Sequence, residues 1–81
     1  EGSYSATLFA DPELVQRKIM EEAFETCLEL GRGPEHNERV ASEAADLVFH
    51  LLAGLVQAGV PFQDVLDELA RRAGGRREAD A

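Results

Sequence analysis

Apolar residues recur along the first third of the chain at steps of three to five, the spacing that places them on one face of an α-helix. Asp11 and Pro12 supply the capping residue and the first-turn proline that are typical of a helix start. Gly31 follows the last apolar position and stops the helix. The pattern therefore predicts a first long helix from Pro12 to Leu30, with a core stripe formed by Leu14, Ile19, Ala23, Cys27 and Leu30.

A second helix is predicted to begin between Pro34 and Asn37 and to continue to Ala58, where Gly59 stops it. From Leu47 onward its apolar residues cover most of the helix circumference, which indicates burial on more than one side. These residues are Leu47, Val48, Phe49, Leu51, Leu52, Leu55 and Val56.

The remaining segments are shorter. A third helix is predicted from Phe62 to Ala73, followed by a loose polar tail over residues 74–81. Residues 1–10 allow either a short turn of helix or an extended arm. Because no β-alternation occurs, the sequence predicts an all-α fold in which a helical hairpin and a short third helix form a single domain over residues 1–81.

A chain of 81 residues with 44% hydrophobic residues folds as one small domain that buries only about 60% of its unfolded surface. Such domains need disulfides, metals or self-association, and the single Cys27 excludes an internal disulfide. Val48, Phe49, Leu52 and Val56 would leave an apolar patch on a monomer. We therefore expect a homodimer whose hairpins pack into a four-helix-type bundle.

The net charge of −8 excludes a basic face for polyanions, so we expect neither a nucleic-acid partner nor binding to anionic lipid. No apolar stretch is expected to reach the roughly 20 residues of a membrane span, and no signal peptide is evident. The lone cysteine suits a reducing compartment. The expected location is cytoplasmic.

Carboxylates occur one helical turn apart on both long helices, as Glu22 and Glu25 with Glu21 adjoining, and as Glu43 and Asp46. Taken alone, the acids of the first helix are typical of a solvated face. An antiparallel hairpin would bring the two pairs together, however, and clustered oxygen ligands suit Mg²⁺ or Mn²⁺. The pattern therefore favours a metal site over a solvated face.

Two further polar residues lie beside these acids. Lys18 stands one turn before Glu21 and Glu22, where it forms either an ordinary helix ion pair or a contact with a phosphate. His50 is either a hydrogen-bonded core histidine or a residue that donates a hydrogen bond to the acids. Cys27 lacks a neighbouring His or Cys at zinc-ligand spacing and is expected to be a small core residue.

With these motifs, the chain resembles the phosphoribosyl-ATP pyrophosphatases of histidine biosynthesis, which belong to the all-α MazG-like nucleoside triphosphate pyrophosphatases. The matching segments are residues 1–5 (EGSYS), 17–25 (RKIMEEAFE), 43–52 (EAADLVFHLL) and 65–69 (VLDEL), followed by Arg71 and Arg72. Ser5 and Phe49 depart from the usual Thr and Tyr of the family. The family also has a helix before the Ser3-Tyr4 segment that lies outside this sequence.

The resemblance implies hydrolysis of 1-(5-phosphoribosyl)-ATP to the AMP compound and pyrophosphate, with Mg²⁺ or Mn²⁺ held by Glu21, Glu22, Glu25, Glu43 and Asp46. A triphosphate carries more charge than one metal neutralises, so Lys18, Arg71 and Arg72 are expected to contact phosphates. Ser3, Tyr4 and His50 complete the expected substrate site. Two alternatives stay open, a housekeeping nucleoside triphosphate pyrophosphatase and a non-catalytic helical dimerisation module.

Overall fold

The protein is built around one antiparallel helical hairpin. The computed structural model describes the backbone of residues 3–80 and the side chains of residues 3–74. Its elements, in chain order, are α1 (Tyr4–Phe9), α2 (Pro12–Leu30), a 3₁₀ turn (Pro34–His36), α3 (Asn37–Ala58) and α4 (Phe62–Asp80). Since no strand occurs in residues 3–80, the predicted all-α class is confirmed.

The helix boundaries follow from capping residues that the sequence carries. The Asp11 carboxylate accepts a hydrogen bond of 3.2 Å from the Leu14 amide at the start of α2, as the sequence predicts. Ser3 caps α1 in the same way, with its hydroxyl oxygen 3.0 Å from the Ala6 amide. Residues 4–9 are therefore helical rather than extended. Gly59 ends α3 in the left-handed conformation, with φ of 79°.

The fourth helix is longer than the sequence predicts. It continues to Asp80 instead of ending at Ala73, so the predicted end of this helix is wrong. The loose tail stays a prediction, and Ala81 lies outside the described residues. Two consecutive glycines cost about 1 kcal/mol each within a helix. The arginines, glutamate and alanine that follow Gly75 have good helix propensity, which is compatible with a helix that continues beyond the two glycines.

The hairpin is closely packed where α1 meets α2 and α3. The buried apolar residues of segment 3–74 are Leu8, Val15 and Ala53, with Leu14 and Ile19 packed against them. A Cβ atom added at Gly54 would lie 3.3 Å from Ile19 Cδ1 and 3.3 Å from Val15 Cγ1. The absence of a side chain at Gly54 therefore allows α3 to approach α2 closely.

The buried face of α2 differs from the predicted stripe. Cys27 and Leu30 are exposed, which makes the prediction of a core Cys27 wrong. The buried residues of α2 are Val15, Glu22, Thr26 and Glu29. The second half of α2 therefore turns Glu22 and Glu29 toward the interior and leaves its apolar face exposed. Both glutamates have a neighbour on α3, Glu43 for Glu22 and Arg39 for Glu29.

Much of the apolar surface of α2 and α3 remains exposed within the single chain. Only His50 and Ala53 are buried on α3, so its predicted burial on more than one side is not achieved by this chain alone. We call the exposed large apolar residues of these two helices the exposed apolar patch, and they are Met20, Phe24, Leu28, Leu30, Val48, Phe49, Leu51, Leu52 and Val56.

The segment Pro34–Ala58 contains an 18-residue window with a mean hydropathy of 1.3, and by length and composition it is sufficient to cross a membrane. This corrects the expectation that no apolar stretch reaches that length. Core helices of soluble proteins pass the same test, so the property does not assign a membrane location.

Candidate active site

Three of the predicted carboxylates converge across the hairpin. Glu22 and Glu25 project from α2 and Glu43 from α3, and each offers a carboxylate oxygen within 4.8 Å of the others. The i, i+3 spacing aligns the first two on one face of α2. We call these three residues the acid cluster. Its existence depends on the antiparallel pairing of α2 and α3, as the sequence predicts.

The acid cluster has the charge and the donor atoms to hold a cation. Glu22 is only 7% exposed. Its Oε1 atom is buried and has no hydrogen-bond partner among the described residues. Burying a carboxylate oxygen without a partner costs several kcal/mol unless a positive charge compensates it. Three hard oxygen donors at this spacing fit Mg²⁺ or Mn²⁺.

Lys18 supplies part of the positive charge that compensates the carboxylates. Its Nζ lies 3.1 Å from Glu21 Oε1 and 3.6 Å from Glu22 Oε2. The hydrogen bond with Glu21 raises the pKa of Lys18 above its usual value, partly opposed by desolvation, and the nearby Glu21, Tyr4 and Glu22 add smaller electrostatic contributions. Lys18 is therefore a charged group at the edge of the acid cluster.

Glu21 and Asp46 are not members of the acid cluster. The side chain of Glu21 is 61% exposed and bonds Lys18. Asp46 is also exposed on α3. The structure thus brings together three of the five carboxylates that the resemblance assigns to metal binding, and it places the other two beside them on the same helices.

A hydrogen bond between the buried His50 and the half-exposed Tyr4 links α3 to α1. His50 is 5% exposed, and its Nε2 lies 2.7 Å from the Tyr4 hydroxyl. Its Nδ1 lies 2.7 Å from the backbone carbonyl of Asp46. The ring of Phe49 stacks on Tyr4 with a centroid separation of 6.2 Å. His50 is therefore a hydrogen-bonded core histidine adjoining the second acidic motif, one of the two predicted alternatives. Ser3 uses its hydroxyl as the cap of α1.

A second charged group, which the sequence does not predict, lies at the closed end of the hairpin. Glu29 is 6% exposed, and its Oε2 lies 3.1 Å from Arg39 Nε. Its Oε1 lies 3.6 Å from His36 Nδ1 and, like Glu22 Oε1, has no hydrogen-bond partner among the described residues. Helical spacing offers a signal for it, because Glu29 follows Glu25 by one turn and Arg39 precedes Glu43 by one turn. The group therefore adjoins the acid cluster on both helices.

Arg71 and Arg72 form ion pairs within α4. Both pair with Glu68 on their own helix, and for Arg72 the Nε to Oε2 distance is 2.9 Å. These hydrogen bonds lower the pKa of Glu68 to about 2, and the pairing raises the pKa of Arg71. In the described part of the chain α4 has no extensive packing against α1, α2 or α3. The structure does not bring these arginines to the acid cluster.

A groove between α2 and α3 lies apart from the acid cluster. It has a volume of about 330 Å³ and runs between the first half of α2 and the second half of α3. Its lining is Pro12, Val15, Gln16, Ile19, Leu51, Gly54, Leu55, Gln57 and Ala58. Because none of these side chains is ionisable, the groove offers no chemistry comparable to that of the carboxylates.

An all-helical hairpin with a carboxylate cluster between its two long helices defines the class of acidic, helical proteins that can hold a divalent cation. Comparison with known proteins gives the family. The family model described as phosphoribosyl-ATP pyrophosphohydrolase matches residues 1–73. The chain therefore belongs to the phosphoribosyl-ATP pyrophosphohydrolase family, and the family predicted from the sequence motifs is confirmed.

Individual relatives agree with this assignment. The phosphoribosyl-ATP pyrophosphatase of Rhizorhabdus wittichii is 51% identical over 89% of this chain and 67% of its own length. That of Metallosphaera sedula is 46% identical over 89% of this chain and 76% of its own length. The histidine biosynthesis bifunctional protein his7 of Schizosaccharomyces pombe is 41% identical over the whole chain, which spans 19% of it. The chain thus spans only part of each relative. No solved structure matches it.

Proposed function

We propose that this protein hydrolyses phosphoribosyl-ATP, adding water to a phosphoanhydride bond and releasing phosphoribosyl-AMP and pyrophosphate as a step of histidine biosynthesis. Family membership supports the reaction and its substrate. The observation that supports the location is the acid cluster of Glu22, Glu25 and Glu43, in which Glu22 Oε1 is buried without a hydrogen-bond partner among the described residues. This proposal favours the histidine-pathway enzyme over a helical module whose acids serve only solubility.

We propose further that the acid cluster holds Mg²⁺, with Mn²⁺ as a substitute, and that Asp46 and Glu21 adjoin it as additional ligands. When bound, the cation supplies charge neutralisation for the phosphate oxygens and activates water for the attack. Lys18 is proposed to bind a phosphate group of the substrate, since its ammonium lies beside Glu22 and offers a positive charge there. Its hydrogen bond with Glu21 orients that ammonium.

Tyr4 and His50 are proposed to border the substrate at the other side of Lys18. Tyr4 is close enough to Lys18 to contribute to its raised pKa, and Tyr4 is about half exposed, so it is accessible to a ligand. His50 is buried and acts through Tyr4 and α1. Ser3 contributes by starting the helix that carries Tyr4. Arg71 and Arg72 remain proposed phosphate contacts only in an assembly that brings α4 to the site.

The protein is proposed to act as a cytoplasmic homodimer whose two hairpins form a four-helix-type bundle. The supporting observation is the exposed apolar patch of α2 and α3, in which Met20 is 69% exposed and Val56 66% exposed. Monomeric soluble proteins rarely leave large areas of apolar surface uncovered. The isolated core contains only Leu8, Val15 and Ala53 as buried apolar residues among those described. A second copy would provide the missing burial.

A direct test is pyrophosphate release from phosphoribosyl-ATP by the purified chain in millimolar Mg²⁺, repeated with a chelator. The expected result is turnover that needs the cation and is absent in Glu22→Gln. Ordinary nucleoside triphosphates serve as competing substrates in the same assay. Comparable turnover of those triphosphates would favour the housekeeping pyrophosphatase, and no turnover of any substrate would favour the non-catalytic module.

A further inference from the structure

Arg39 lies beside the acid cluster at the closed end of the hairpin. Arg39 stands one helical turn before Glu43 on α3, and its partner Glu29 stands one turn after Glu25 on α2. Both residues of this ion pair therefore adjoin members of the acid cluster on their own helices. A ligand that occupies the acid cluster and extends toward the hairpin turn meets Arg39 next.

The guanidinium of Arg39 uses only some of its hydrogen-bond donors among the described residues. Its Nε donates to Glu29 Oε2 at 3.1 Å, and in residues 3–74 this is the hydrogen bond that its side chain makes. The side chain is 63% exposed. Arginine carries five N–H donors in a planar fork that matches pairs of phosphate oxygens. The Nη groups of Arg39 are thus accessible while its Nε is fixed.

Glu29, which binds the Nε of Arg39, is buried. Glu29 is 6% exposed and also lies within 3.6 Å of His36 Nδ1, which approaches its second oxygen. A surface ion pair that merely joins two helices would leave both partners solvated and weakly held. Here the carboxylate is inside and the cation points outward. The buried carboxylate therefore holds the Nε end of the guanidinium, and the rest of the guanidinium is open to solvent.

The charge requirements of a polyphosphate favour a second cation at this place. The chain has a net charge of −8, and the acid cluster itself repels phosphate. Lys18 contacts Glu22, whereas Arg39 contacts Glu29 seven residues further along α2, or about 10 Å along the helix axis. One fixed cation therefore lies at each end of the acid cluster. Arg71 and Arg72, by contrast, pair with Glu68 on α4.

We propose that Arg39 is a substrate-binding residue that donates its Nη hydrogens to phosphate oxygens of the polyphosphate chain, and that the buried Glu29 is the positioning residue that holds it. The inference rests on the proposed function for the identity of the substrate. The ligand chemistry it requires is a polyphosphate carried into the site with a divalent cation. Inorganic pyrophosphate, the product of the proposed reaction, is the simplest probe of this class.

The test measures pyrophosphate affinity by calorimetry in millimolar Mg²⁺, together with KM and kcat for phosphoribosyl-ATP. Arg39→Lys keeps a cation for Glu29 but loses the fork, so it should weaken pyrophosphate affinity about tenfold and raise KM more than it lowers kcat. Arg32→Lys is the matched control, because Arg32 is exposed in the connection between α2 and α3 and forms no ion pair among the described residues. It should bind pyrophosphate as the wild type does.

The role of Glu29 is tested by a double-mutant cycle. Glu29→Ala should weaken pyrophosphate affinity in the wild-type background and have no further effect in the Arg39→Ala background, because positioning acts only through Arg39. Glu29→Gln keeps an acceptor for Nε and should restore most of the affinity. Additive losses would show that Glu29 acts independently and would overturn the positioning role.

A measurement on the unmodified protein guards against variants that fail to fold. In the NMR spectrum of the wild-type chain, pyrophosphate with Mg²⁺ should shift the guanidinium resonances of Arg39 and leave those of Arg32 in place. Unshifted Arg39 resonances, or an Arg39→Lys affinity within twofold of wild type, overturn the inference. If the wild type binds pyrophosphate through Arg39 but does not hydrolyse phosphoribosyl-ATP, the proposed function fails and the phosphate contact stands.

Discussion

The Tyr4 hydroxyl lies 2.7 Å from His50 Nε2, and this contact joins α1 to the helix that carries the second acidic motif. The other ring nitrogen of His50, Nδ1, lies 2.7 Å from the Asp46 carbonyl. Since a carbonyl oxygen only accepts, Nδ1 must carry the hydrogen. In the neutral ring Nε2 then accepts from the Tyr4 hydroxyl. One histidine thereby ties Tyr4 to the backbone of the helical turn that presents Asp46.

Tyr4→Phe should destabilise the protein by about 1–3 kcal/mol, because it leaves the buried Nε2 of His50 without its donor. Urea unfolding followed by circular dichroism measures the change. Ser5→Ala is the matched control, since Ser5 is an exposed hydroxyl residue on the same short helix and should alter stability by less than about 0.5 kcal/mol. Equal stability of Tyr4→Phe and wild type would contradict the proposed tautomer and its hydrogen bond.

Glu22→Gln and Glu43→Gln should abolish stabilisation of the fold by Mg²⁺. A cation that binds only the native state stabilises it by about 2.7 kcal/mol at a hundredfold excess over its Kd. Without Mg²⁺ both variants should melt at or above the wild-type temperature, because one of three repelling carboxylates has lost its charge. Thermal melting with and without the cation measures both effects.

The comparators for this prediction are acids outside the acid cluster. Glu38→Gln removes a charge from the first turn of α3 and should keep the full Mg²⁺ effect. Asp46→Asn should reduce the effect without abolishing it, since Asp46 is exposed beside the acid cluster rather than within it. A wild-type melting temperature that does not respond to millimolar Mg²⁺ would remove the basis for a metal site.

The sequence predicts most of the secondary structure and part of the candidate site, and the limits have physical causes. Periodicity and caps place α2 and α3 correctly, and the acidic pairs predict the acid cluster. The same periodicity selects Cys27 as a core residue, because a rule that places apolar residues inside cannot anticipate a helix that turns Glu22 and Glu29 inward. Arg39 has no distinguishing motif. Only the pairing of the two helices brings it to Glu29.

Glu68 should titrate well below an ordinary glutamate, because Arg71 and Arg72 hold its pKa at about 2, compared with 4.5. A depressed folded-state pKa stabilises the native state at pH above 4.5, and that contribution is lost as the pH falls toward 2. A carboxyl-carbon NMR titration measures the pKa directly. In Arg71→Gln the pKa should move up toward 4.5, and a Glu68 midpoint near 4.5 in the wild type would contradict the pairing.

Leu52→Glu should dissociate the proposed dimer, because it places a charge in the middle of the exposed apolar patch of α3. Gln63→Glu is the control, since it adds the same charge at an exposed position of α4 outside the patch. Sedimentation at micromolar concentration should give twice 8.8 kDa for the wild type and the control, and 8.8 kDa for Leu52→Glu. A wild-type mass of 8.8 kDa with full activity would rule the dimer out.

Gly54→Leu should destabilise the protein by about 1–3 kcal/mol, whereas Gly74→Ala should stabilise it by about 0.5–1 kcal/mol. Both glycines lie within helices, and only their surroundings differ. A Cβ atom at Gly54 would meet Ile19 and Val15 at 3.3 Å, while a Cβ atom at Gly74 has nothing within 4 Å. At Gly54 the larger side chain must separate α2 from α3 and with them Glu22 from Glu43, so Mg²⁺-dependent stabilisation should weaken as well. At Gly74 only the helix propensity of α4 changes. Urea unfolding of the two variants in parallel measures the contrast, and a Gly54→Leu variant as stable as the wild type would show that the hairpin is not closely packed at this glycine.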